Sequence, residues 1–191
     1  NMLSRSIRRA VFAATAVAAA SLAGSALAAK VAVITPYLAQ PGTQFYVEAF
    51  QAVAKEKGWD VNVIDTQGDV AAVISRIEDS VTQKVDAIVI NVDPTQIQAG
   101  LQAAKDAKIP VFGMDSGADP LLVTNVTSNG YAMAAETSTY VADRIGGKRH
   151  VVMFVFDAFP PVQQRGVVAG AVFGNYPDIK IVAEQGLADP T

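Results

Sequence analysis

From Lys30 onward, short runs of β-branched residues alternate with longer segments of helical period, and this alternation constrains the chain more than any other feature. Val31–Thr35, Val61–Asp65, Ala87–Asn91 and Val111–Asp115 read as strands. Between the second and third, Val70, Val73, Ile74, Ile77 and Val81 recur at the spacing that lines one face of an amphipathic helix. Segments 44–57 and 95–107 follow the same period, and Lys57-Gly58 and Ile109-Pro110 mark the returns to strand. Strand, helix, strand, helix at this spacing means right-handed crossovers, so the expected fold class is α/β with a doubly wound parallel sheet.

The pattern then restarts. A shorter strand at Leu122–Val126 leads into the polar loop Thr127-Ser128-Asn129-Gly130 and a helix from Tyr131 to Ile145. After Gly146-Gly147 come an apolar run at His150–Phe156, a helix over 162–174 and a strand at Ile179–Glu184. Ser128-Asn129 therefore reads as the crossing between an N-terminal lobe, 29–128, and the start of a second, 129–191. Two strands and two helices cannot cover both faces of a second sheet, so that lobe is expected to be incomplete. Gly166, Gly170 and Gly174 fall one helical turn apart and are expected to allow close helix–sheet contact.

The first residues have a different character. Arg5, Arg8 and Arg9 precede the uncharged stretch Ala10–Leu22, and the segment closes with Ala26-Leu27-Ala28, the three parts of a secretory signal peptide over 1–28. Its Ala content and the lack of a following stop-transfer pattern weigh against a membrane anchor. Losing the three arginines takes 15 basic and 18 acidic residues to 12 and 18, leaving an acidic chain. Without a basic block there is no electrostatic footprint for nucleic acid or anionic lipid, and neither is expected as a partner. Cysteine is absent, and the single histidine, His150, has no ligand cluster around it in sequence. No metal and no cofactor are expected, and the compartment that fits is a bacterial periplasm.

Ligands of open parallel sheets bind outside the carboxyl ends of the strands. Gathered there are Thr43, Gln44, Phe45 and Tyr46 after the first strand, Asp65, Thr66 and Gln67 after the second, Asn91 and Asp93 after the third, and Asp115 and Ser116 after the fourth. The second unit adds Asp157, Phe159 and Arg165. A carboxylate accepts from neighbouring hydroxyls, a guanidinium donates to two oxygens, and aromatic faces cover a C–H surface, so the set suits a neutral polyhydroxylated ligand. There is no dinucleotide fingerprint, phosphate loop, nucleophile elbow or cysteine, and the lone histidine has no evident serine partner. Asp93 and Asp115 could be imagined as a glycosidase pair, but neither stands in a recognisable acid–base setting.

The ordered combination of an aromatic pair after the first strand, Asp65-Thr66-Gln67, Ile88-Val89-Ile90-Asn91, Val111-Phe112-Gly113-Met114-Asp115-Ser116, Thr127-Ser128-Asn129-Gly130 and Gln163-Gln164-Arg165-Gly166 resembles the ribose-binding family of periplasmic sugar-binding proteins, the solute receptors of ABC importers. The resemblance runs from Lys30 to the end. It implies a type I periplasmic-binding-protein fold of two lobes that close by a hinge on a sugar or polyol. It also implies delivery to an ABC permease in the inner membrane, contact with a chemoreceptor as a second partner, a monomeric state and no enzymatic activity. Phe45 and Tyr46 then correspond to stacking aromatics, Asp115 to the carboxylate that grips hydroxyls and Arg165 to the guanidinium of the second lobe. Thr43, Asn91, Ser116 and Phe159 complete the candidate site. Three departures leave the sugar open and admit a smaller polyol: Ser116 stands where the family often has arginine, Thr43 where asparagine is common, and Phe159-Pro160-Pro161 replaces a small-residue loop. Two other functions share parts of this description. The effector domain of a LacI-type regulator would carry a basic helix-turn-helix instead of a signal peptide, and an exported sugar-modifying enzyme would turn its sugar over.

Overall fold

The computed structural model describes residues 28–187. The signal segment expected over 1–28 lies outside them except for Ala28, as do residues 188–191. In chain order the elements are β1 (Lys30–Thr35), α1 (Pro41–Glu56), β2 (Asp60–Asp65), α2 (Val70–Thr82), β3 (Ala87–Ile90), a 3-10 turn (Pro94–Gln96), α3 (Gln98–Asp106), β4 (Val111–Met114), β5 (Asn125–Val126), α4 (Gly130–Arg144), β6 (Lys148–Val155), α5 (Pro160–Gly174) and β7 (Asp178–Gly186).

The first five strands form one parallel sheet in the order β2-β1-β3-β4-β5. The near-continuous apolar runs are explained by burial on both faces. Ala32 and Ile34 of β1 and Ile88 and Ile90 of β3 point to one side, where Val73 and Ile77 of α2 and Leu101 of α3 pack on them. Val31, Val33 and Val89 point to the other side, against Val47 of α1. β1 has β2 on one flank and β3 on the other, so the crossover after β1 runs one way along the sheet and the crossover after β2 runs back the other, which opens a crevice beyond Thr35.

Strands β6 and β7 make a separate parallel pair with a register shift between Val151 and Val152. Ala142, Met153, Val155, Phe173 and Ile179 form its core. Of the three helix glycines only Gly166 serves close contact, since a Cβ there would meet Val155 Cγ1 at 3.3 Å, whereas one at Gly170 or Gly174 would meet nothing within 4 Å. Helical spacing alone could not separate them: in α5 a step of four residues also rotates by about 40°, carrying the later positions off the strand.

Other boundaries moved for local reasons. Helix α1 begins at Pro41, ahead of the residue 44 start read from sequence, because a proline at the first helical position gives up only an N–H that has no partner there. The helix expected over 95–107 is split: Asp93 accepts from Thr95 N at 2.9 Å and caps a 3-10 turn, and α3 starts only at Gln98. The strand expected at Leu122–Val126 shortens to Asn125–Val126.

Gly113 in β4 has a specific steric reason. A Cβ there would lie 2.6 Å from Asn125 Oδ1, the oxygen that accepts from Ser116 N at 3.0 Å while Asn125 Nδ2 donates to Ser116 O at 2.9 Å. Gly113→Ala should therefore displace this side-chain clamp between β5 and the segment after β4, at a cost of about 1–3 kcal/mol. Thermal unfolding measures it; an unchanged Tm would mean that Asn125 moves aside freely.

Candidate functional site

The crevice beyond β1, β3 and β4 holds a cavity of about 260 Å³, with walls from both units of the chain. Its framework is a buried polar network centred on Asn91, immediately after β3. Thr35 Oγ1 at the end of β1 and Thr43 Oγ1 in the first turn of α1 donate to Asn91 Oδ1 at 3.1 and 3.2 Å, and Asn91 Nδ2 donates to Met114 O at 2.6 Å. One amide thus ties three strand ends together. Its acceptor oxygen is engaged twice, so at most one N–H is left for a ligand.

Asp115 follows β4 with φ of +49°, a left-handed conformation that Asp tolerates better than most residues. It is 8% exposed, and Thr127 Oγ1 donates to its Oδ1 at 2.6 Å. Oδ2 takes no hydrogen bond from the described residues, which leaves one carboxylate oxygen to accept from a ligand in the cavity. Arg165 of α5 donates through Nη2 to Ser128 Oγ at 3.2 Å, next in sequence to the Thr127 that bonds Asp115. Among the described residues, Arg165 Nε is the one buried side-chain nitrogen or oxygen without a partner. A buried charged donor in that state calls for an acceptor from a ligand or water. Asp115 and Arg165 form no ion pair with each other; among the described residues the one salt bridge joins Arg76 and Asp79.

Of the residues singled out in the sequence, Thr43, Tyr46, Asn91, Asp115, Phe159 and Arg165 come together around this cavity. Phe45 and Ser116 do not. Phe45 is 71% exposed and sits edge-on to Tyr46 with centroids 6.4 Å apart. Neighbours in a helix point about 100° apart, so once α1 begins at Pro41 and turns Gly42, Thr43 and Tyr46 inward, Phe45 faces out. The Ser116 hydroxyl lies behind the wall, donating to Ile90 O at 3.1 Å and accepting from Val92 N at 3.2 Å, and so braces β3 against the segment after β4. Asp65 and Asp93 are occupied in turns, accepting from Gln67 N at 2.8 Å and Thr95 N at 2.9 Å, outside the cavity wall.

Reading the sequence missed Tyr37, Gln40, Ser128, Met133, Phe156 and Val162, all of which line the cavity. Tyr37 carried a usable signal, an aromatic two residues beyond a buried strand at the switch point. Burial, and then the nearby Asp93 carboxylate, raise its hydroxyl above the ordinary 10.0, so Tyr37 is a neutral donor and acceptor at neutral pH. The cavity therefore offers a carboxylate oxygen and a guanidinium, together with aromatic and aliphatic surface, which is complementary to a small uncharged molecule rich in hydroxyls.

A family model described as a periplasmic binding protein domain matches residues 31–191. The chain belongs to that family. Among curated relatives of this periplasmic binding protein, a xylitol-binding protein of Mycolicibacterium smegmatis is 28% identical over 140 residues, covering 72% of this chain and 40% of its own length. A ribose import binding protein of Bacillus subtilis is 30% identical over 95 residues, covering 49% of this chain and 31% of its own. Among solved structures, an ABC sugar transporter subunit of Rhodobacter sphaeroides superposes with a TM-score of 0.77 at 25% identity, over 85% of this chain and 59% of that one. The chain thus spans less than half the length of the curated relatives that it matches. It has the α/β parallel-sheet architecture of type I periplasmic binding proteins, and these relatives are described as binding or transport proteins, not as enzymes.

Proposed function

We propose that the protein is a periplasmic solute receptor that captures a sugar or polyol in the cleft between its two lobes and delivers it to an ABC permease of the inner membrane. The observation that carries this reading is that one small cavity is lined by both a buried carboxylate with a free oxygen and a buried guanidinium nitrogen without a partner. A net-neutral ligand that both donates and accepts satisfies the two without leaving either charge uncompensated. The volume of about 260 Å³ falls below the roughly 300–1,000 Å³ of sites for drug-sized molecules, which favours a monosaccharide or a sugar alcohol. The relatives' ligands, xylitol and ribose, belong to that class.

On this reading Asp115, Arg165, Tyr46, Thr43 and Phe159 contact the ligand, Asn91 chiefly orients the strand ends, and Ser128-Asn129 is the crossing from lobe 29–128 to lobe 129–191. The segment 1–28 is removed on export, so the mature chain begins at Ala29 or Lys30; N-terminal sequencing of exported protein that still carries residues 2–28 would rule that out. The functional test is calorimetric titration of the complete protein with pentoses, hexoses and sugar alcohols, followed by chemical recovery of the ligand. Saturable binding with the sugar recovered intact is expected. Turnover of the sugar would transfer the protein to the enzyme class, and failure of every sugar and polyol to bind would overturn the proposal.

A further inference from the structure

We infer that Thr127 and Ser128 are positioning residues of the ligand site: from adjacent places in the crossing segment, one hydroxyl orients the Asp115 carboxylate and the other the Arg165 guanidinium, so that a single stretch of chain sets the two charged groups relative to one another. The inference rests on the cavity being the ligand site. Thr127 lies outside the cavity wall and acts on it only through Asp115, whose Oδ1 accepts from its hydroxyl at 2.6 Å. Ser128 lines the cavity and accepts from Arg165 Nη2 at 3.2 Å.

The Thr127 hydroxyl has two acceptors in reach, Asp115 Oδ1 at 2.6 Å and Ser128 O at 3.4 Å. It has one proton to give, and 2.6 Å is the distance of a hydroxyl bonded to an ionised carboxylate, so the proton goes to Asp115. Asp115 N–H also donates at 2.7 Å to Val126 O, which ties both the main chain and the side chain of this residue to the same short stretch. A carboxylate with one oxygen held no longer turns freely about its Cβ–Cγ bond, and the place of the other oxygen is fixed with it. For the guanidinium, a Cβ at Gly130 would stand 3.6 Å from both Arg165 Cγ and Nε, an ordinary contact distance, so the arginine stem lies along the first turn of α4 and the Ser128 bond holds its far end. Asn129 secures that turn as the cap of α4, accepting from Ala132 N at 3.1 Å. Each residue of Thr127-Ser128-Asn129-Gly130 thus has a part in holding the charged pair. Because atoms near the axis of a rotation move least, anchoring both groups on the crossing keeps their separation nearly constant while the lobes move about it.

Two measurements on the complete protein test this. In calorimetric titrations with ribose and xylitol, Thr127→Val, which keeps the shape and removes the hydroxyl, should weaken the better ligand about three- to tenfold, while Thr127→Ser, which keeps the hydroxyl, should stay within about twofold of the parent. In the Asp115→Ala background Thr127→Val should cost nothing further, because the group through which it acts is gone. An equal loss in both backgrounds would overturn the inference, as would parental affinity in Thr127→Val when Asp115→Ala has lost binding. If Asp115→Ala also binds as the parent does, the cavity is not the ligand site and the inference falls with that reading. In the ligand-free protein, the heteronuclear NOE of the Arg165 Nε–Hε group, identified by its absence in Arg165→Lys, should report a rigid side chain in the parent and in Thr127→Val, and should fall to that of a solvated arginine in Ser128→Ala. A signal unchanged by Ser128→Ala would refute the inference whether or not either sugar binds.

Discussion

Replacing Asp115 with alanine should abolish most of the affinity for a sugar or polyol while leaving the fold largely intact. With Oδ1 held by Thr127 at 2.6 Å, the other oxygen is left to accept from a ligand in the cavity. A hydrogen bond to a charged acceptor contributes about 1.5–3 kcal/mol, and about 1.4 kcal/mol is a decade of affinity, so the loss should be tenfold to a hundredfold. Stability should change much less, since the side chain borders a cavity and is not packed in the apolar core, and removing it frees only the Thr127 hydroxyl at the surface. Asp115→Asn should recover part of the loss by keeping an acceptor oxygen without the charge. Calorimetric titration paired with thermal unfolding separates the two effects. Parental affinity together with a much lower Tm would make Asp115 a structural residue of the turn after β4.

Asn91→Leu is the second large effect, and it should strike stability and binding together. Asn91 is 2% exposed and satisfies the Thr35 and Thr43 hydroxyls and the Met114 carbonyl. Leucine matches it roughly in size but leaves those three groups without their partner in the buried wall of the cavity, at about 1–3 kcal/mol for each one that finds no substitute. The expected result is a fall in stability of several kcal/mol, set against the roughly 5–15 kcal/mol available to a domain. Any protein that stays folded should bind at least tenfold more weakly, because the loop carrying Tyr37, the first turn of α1 and the residue before Asp115 all lose a common anchor. Denaturant unfolding read alongside ligand titration checks it. Weakened binding with unchanged stability would instead place Asn91 among the direct ligand contacts.

The contrast between Asp115 and Ser116 shows what a sequence can and cannot separate. Both are polar, both follow the same buried strand, and both are buried. Yet the carboxylate has an oxygen left for the cavity, while the serine hydroxyl is engaged twice behind the wall with Ile90 and Val92. Only the direction of each side chain decides which is which, and Asp115 takes the left-handed backbone of the turn after β4. The aromatic residues repeat the lesson. Phe45 and Tyr46 are adjacent in sequence, but the helix that begins at Pro41 turns them to different sides.

By itself, the sequence determined the architecture: runs such as Val31–Thr35 and Ala87–Asn91 are apolar without alternation because both faces of their strands are buried, and the spacing from Val70 to Val81 admits only a helix lying on that sheet. It also determined which loops meet, because in a parallel sheet all strand ends of one kind lie at one edge. The tertiary structure decided which side chains of those loops share the cavity. That depends on helix phase, on a single positive φ and on contacts such as Tyr37 with Phe159, whose partners lie far apart in the chain. Periodicity reports on the environment of a segment and carries no information on such distant partners, so the contact of Tyr37 with Phe159 could be seen only in the folded chain.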